Sequence, residues 1–155
     1  MNRYTRWVPG FLAGVALLVA LPSATMASND TAEHTVETSY FEDEFILELC
    51  GISTFTTLTE RSTYIALSDG TEMLHIVRTY VSDDPRLPIE KHALTGIASP
   101  DGDFAFIGKP IHLLAPDGGT KLVDAGLLVF DVNGDVTVRG PHPGMEADLA
   151  EYYCP

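Results

Sequence analysis

Turn-forming residues recur at short, regular intervals from residue 68 onward, and this punctuation narrows the possible folds more than any other feature of the sequence. Ser68-Asp69-Gly70-Thr71, Ser99-Pro100-Asp101-Gly102, Ala115-Pro116-Asp117-Gly118-Gly119 and Asn133-Gly134 each offer residues that accept positive φ or preset a turn. The runs between them are rich in Val, Ile, Thr, Phe and Tyr, which suit a pleated, half-buried surface. The pattern predicts strands near 45–49, 53–58, 60–67, 72–81, 89–98, 103–114, 120–131 and 135–140. Tight connections between seven or eight such strands imply an all-β, antiparallel up-and-down meander. Closing it into a small β-barrel would remove its edges. Asp83-Asp84-Pro85-Arg86-Leu87-Pro88 is the one irregular connection. After Pro143-Gly144, Met145, Leu149, Tyr152 and Tyr153 are spaced along one helical face and predict a short C-terminal helix.

The N-terminus reads differently. Arg3 and Arg6 precede an apolar run from Val8 to Leu21, and Pro22 to Ala27 is mostly small residues. A basic start, a short apolar middle and a small-residue end define a secretory signal peptide, here residues 1–27 with cleavage after Ala27. The run of about 14 residues is short of the roughly 20 that a spanning helix needs. Residues 28–39, polar and acidic, read as a flexible lead-in. Residues 40–155 read as a single barrel domain, and the chain as secreted, with no membrane insertion after cleavage.

Removing Arg3 and Arg6 from the nine basic residues leaves seven against 22 acids, a net charge of −15. Such a charge repels nucleic acid and anionic lipid, which both require phosphate neutralisation, and no nucleic-acid partner is expected. The only two cysteines, Cys50 and Cys154, read as one disulfide in an exported chain.

Leu49-Cys50-Gly51, Asp117-Gly118-Gly119, Asp124-Ala125-Gly126, Val129-Phe130-Asp131, Gly140-Pro141-His142 and the terminal cysteine occur together in this order. Over roughly residues 45–155 the chain thereby resembles a group of uncharacterised small secreted bacterial proteins with an early Cys-Gly and a C-terminal Cys. The resemblance implies a small β-barrel and carries no activity or catalytic residue with it.

Hairpin partners share a face, so the turns suggest a register. They pair Val129 with Val138, Ile107 with Leu127, Ala105 with Val129, Leu94 with Ile107 and His92 with Lys109. One face then holds Val123, Ala125, Leu127, Val129, Val136, Val138, Ala105, Ile107, Ile111 and Leu94, the candidate interior. Glu90, His92 and Lys109 join it near one end, as a barrel mouth that could orient a ligand or as a solvated rim. The opposite face carries Phe104, Phe106, Leu128 and Phe130, to be covered by the C-terminal helix, by residues 40–49 or by another subunit.

No recognisable chemistry motif is present. His34, His75, His92, His112 and His142 lack the short spacings of a zinc motif. Asp131-Val132-Asn133-Gly134-Asp135 begins like a calcium loop, but Val136 and His142 stand where glycine and glutamate are required. No Gly-x-Ser-x-Gly occurs. No metal and no cofactor are expected. The leading functional reading is a non-enzymatic binding module for a small apolar ligand, monomeric or weakly self-associating. The alternatives are a small cyclase- or isomerase-like enzyme using Glu90, His92 or Lys109, and a structural or interaction protein whose barrel is filled by side chains.

Overall fold

The computed structural model describes residues 31–145 and 147–155; the signal peptide and cleavage point expected from the sequence lie outside them. The elements are β1 (Thr31–Glu42), α1 (Glu44–Cys50), β2 (Phe55–Ala66), β3 (Glu72–Ser82), β4 (Ile89–Ala98), β5 (Phe104–Leu114), β6 (Thr120–Phe130), β7 (Val136–Arg139), a 3-10 turn (Pro143–Met145) and α2 (Ala150–Tyr153). All seven strands are antiparallel neighbours in chain order, as the turn spacing requires. Among the described residues β1 and β7 do not pair, so the sheet is open rather than a closed barrel. The cause lies at β7, which has only four residues before the chain turns at Gly140 and leaves the sheet.

Several boundaries depart from the sequence reading. Residues 31–39, expected to be part of a flexible lead-in, belong to β1. Every residue from 32 to 42 is exposed, so this edge strand is held by its ladder with β2 and not by burial. Tyr40 stacks on Phe55 with ring centroids 5.1 Å apart. Residues 45–49 form a helix instead of a strand. The Asp43 carboxylate accepts from the Ile46 amide at 3.0 Å, and Gly51, at φ 69°, closes the other end. The two strands expected at 53–58 and 60–67 are one, because Thr59-Glu60 provides no turn chemistry. The expected C-terminal helix is reduced to the 3-10 turn and four residues of α2.

The buried core sits at one end of one sheet face. Ile111, Leu113 and Leu122 from the sheet pack with Ile46 of α1, Tyr153 of α2 and Leu87. Leu87 belongs to the irregular connection, where the Arg86 guanidinium holds the Asp84 carboxyl down to about 2. Cys50 and Cys154 are bonded, with Cα atoms 5.4 Å apart, so the C-terminus of α1 is tied to the end of α2.

Register explains which face is which. Ile107 pairs with Leu127 and Ala105 with Val129, as the turns indicated. Leu94, however, pairs with Gly108, Val129 with Thr137, and Ala93 with Lys109. Five-residue turns at 99–103 and 131–135, in place of two-residue tips, and the irregularity between Gly108 and Ile111 displace the ladder, so the expected interior set divides between the two faces. Leu94, Ile111, Val136 and Val138 lie on the helix-side face with Phe104, Phe106, Leu128 and Phe130. Ala105, Ile107, Val123, Ala125, Leu127 and Val129 lie on the other, open face, where Ile107 is 46% exposed.

Candidate functional site

Strand alternation brings a row of polar side chains to the helix-side face, between the core and the aromatic end. Glu60, Arg78 and His92 are successive cross-strand partners on β2, β3 and β4. The Arg78 Nε donates to Glu60, and the His92 Nε2 donates to the Glu90 Oε1 at 2.5 Å. Tyr80 packs on the His92 ring at a centroid distance of 5.1 Å. Tyr153 reaches the row from α2. Its burial, and then the Glu90 carboxylate beside it, push its phenol well above the ordinary tyrosine range. Both Glu90 and His92 are less than one fifth exposed.

Glu90 and His92 are therefore together, on one strand and one face. Lys109 is not with them: it is Ala93's partner, on the open face, and exposed. The turn after β4 is what separates the pair from Lys109: five residues, 99–103, stand between Ala98 and Phe104 and set Lys109 opposite Ala93. A tip at Pro100-Asp101 puts all three on one face. The hairpin turn at Asp69-Gly70 carried the signal for the part of the row that was missed. It sets Glu60 opposite Arg78 and Leu58 opposite Tyr80.

Beyond the row toward the β4–β5 turn, the face becomes apolar. The Phe104 and Phe106 rings, edge to face at 4.5 Å, lean over Gly96, where an added Cβ would sit 3.3 Å from Phe104 Cζ. With Tyr64, Leu74, Ile76 and Ala98 they line a shallow recess of about 30 Å³. Ile76 is 2% exposed, although it lies outside the cluster beneath the helices. Phe106 and Phe130 are thus covered by neither α2 nor α1. They pack on each other and on Phe104.

A second buried pair lies on β6. The His142 Nδ1 donates to the Asp124 Oδ1 at 2.5 Å, with the side chains 6% and 2% exposed. Among the described residues the buried His142 Nε2 has no hydrogen-bond partner; it is turned toward Gly126, where an added Cβ would sit 2.6 Å from it. A carboxylate orienting an imidazole resembles half of a nucleophile-activating system, but among the described residues no nucleophile meets Nε2. The arrangement fastens the post-β7 loop to the sheet. Together with the Ala125 amide donating to the Pro141 carbonyl at 3.0 Å, it accounts for the chain's path at residues 140–144.

The calcium-like Asp131 loop is a turn: its carboxylate accepts from the amides of Asn133 and Asp135 at 2.8 and 2.9 Å. Among the described residues no three His, Cys, Asp or Glu side chains are placed to hold a metal. No helix among them is long and apolar enough to cross a membrane. Compared with known family models, with characterised proteins and with solved structures, the chain gives no match.

Proposed function

We propose that the chain is an exported, disulfide-linked, non-enzymatic binding module that takes the apolar end of a small amphipathic molecule on its helix-side face. The observation that carries this reading is the open recess lined by Leu74, Ile76, Phe104 and Phe106, adjoining the paired Glu60–Arg78 and Glu90–His92 row. At about 30 Å³ the recess is far below the roughly 300 Å³ of a whole-ligand pocket, so it suits a terminal methyl or ring edge. The remainder of the molecule would lie along the face toward the polar row. An enzyme built on Glu90, His92 and Lys109 finds less support, since Lys109 is on the opposite side of the sheet. The export part of the reading is supported by the leader-like residues 1–27 and by the Cys50–Cys154 bond, which suits an oxidising compartment.

The neutral apolar dye N-phenyl-1-naphthylamine tests the site. Wild-type protein should enhance its fluorescence, and Ala98→Leu, which fills the recess from its rim, should weaken binding several-fold without changing the melting temperature. No enhancement, or the same affinity in both proteins, would sink the ligand reading and leave a side-chain-filled structural or interaction protein.

A further inference from the structure

The open face of the sheet has a charge opposite to that of the chain. Seven Lys and Arg residues lie outside the first 27, and five of them are on this face: Arg61, Lys91, Lys109, Lys121 and Arg139. Strand alternation places one carboxylate there, Glu42, at a corner, and the Asp83 carboxylate joins it at that corner through the Tyr40 hydroxyl. The other acids among the described residues project from the helix-side face, the helices and the turns. Among the described residues none of the five cations forms an ion pair, whereas Arg78 and Arg86, off this face, are both paired. Lys91 even stands opposite His112, with no acid between them. In a chain with 22 acids, five unpaired cations on one surface mark a place where the counter-charge comes from elsewhere.

We propose that this face docks on an anionic lipid surface, its five cations meeting headgroup phosphates. Three observations favour that partner. The cations occupy five of the seven strands, from β2 to β7, a width of about 24 Å at the usual strand spacing. They also fall at several levels along the strands. This is a two-dimensional array, suited to a plane of anions more than to one anionic thread or one small ion. Between them stand exposed Val77, Val81, Ile107 and Val123, which a bilayer interface accommodates and a hydrated sugar polymer leaves in water. A second copy of the chain through the same face would oppose five cations to five cations.

The net charge, −15 without residues 1–27, does not forbid this docking. At physiological ionic strength the screening length is about 8 Å, so carboxylates on the far side of the sheet act weakly on headgroups touching the near side. The expected association is salt-sensitive and modest, each cation contributing a factor of roughly five.

The test is co-sedimentation with phosphatidylglycerol–phosphatidylcholine vesicles, using protein secreted by an exporting host. Its N-terminus must be verified, because an uncleaved apolar leader would itself bind lipid. Binding is expected to the mixed vesicles, to fall as salt rises, and to be absent with phosphatidylcholine alone. Lys109→Gln/Lys121→Gln should weaken it about twenty-five-fold, while Arg86→Gln should leave it unchanged. Independently of any variant's folding, bound vesicles should protect Lys91, Lys109 and Lys121 of the wild type from amine acetylation. Equal binding to uncharged vesicles, no loss in the double variant, unprotected lysines, or binding to soluble dextran sulfate but not to vesicles would each overturn the proposal.

Discussion

The Nδ1 of His142 stands 2.5 Å from the Oδ1 of Asp124, joining the loop that follows β7 to the middle of β6 in a nearly solvent-free site. Truncating one partner leaves the other buried and unpaired. His142→Ala should therefore cost about 3 kcal/mol, well above a surface substitution. The measurement is the urea midpoint at neutral pH. A loss below about 1 kcal/mol would show that the pair does not fasten the loop.

Gly108 and Gly126 face each other across β5 and β6 at φ 138° and 155°. A Cβ on Gly108 would lie 2.2 Å from the Ala93 carbonyl oxygen, which is backbone and cannot step aside. Gly118 also has positive φ, but open space surrounds it. Gly118→Ala should thus cost only the backbone penalty of about 1 kcal/mol, and Gly108→Ala at least about 3 kcal/mol. Equal melting temperatures for the two variants would contradict the close approach of β4 to β5.

Burial raises the Tyr153 phenol above its ordinary value of 10.0, with Glu90 adding to the effect. The folded chain then holds this proton more tightly than the unfolded chain does. The associated stability is complete below pH 10 and is lost as the pH climbs past it, by up to about 1.4 kcal/mol per unit. Alkaline unfolding curves of wild type and Tyr153→Phe should diverge in slope only above pH 10. Parallel curves throughout would refute the shift.

Cys154→Ser should lower stability by roughly 2–5 kcal/mol while leaving the β-sheet circular dichroism intact, since the bond joins two short helices and no strands. Two titratable thiols in the native protein would mean that the bond does not form.

Five of the seven strands were legible because Asp-Gly, Pro-Asp and Asn-Gly turns delimit them. β1 was hidden by its polarity: its backbone is satisfied by β2 alone, so it shows none of the apolar pattern that burial demands. α1 was hidden because Phe45, Ile46 and Leu49 suit either a strand or a helix, and only the Asp43 and Gly51 caps decide. At the candidate site, Glu90 and His92 two residues apart are fixed by alternation, whereas Lys109 depended on a register that the five-residue turn between β4 and β5 displaces. Net charge concealed the basic face for a related reason. A whole-chain total cannot register that β-strands sort residues by parity, sending lysines to one side and carboxylates to the other.

The Cys50–Cys154 bond encloses β2 through β7 in a covalent ring and leaves β1 as a tail outside it. β1 can peel away without disturbing the ring or the core under the helices. Hydrogen bonds to a single neighbour and exposure along its length make it the first unit to open. The molecule then behaves as a six-stranded body carrying a detachable strip, and each opening of that strip uncovers the edge of β2 as a landing place for another strand.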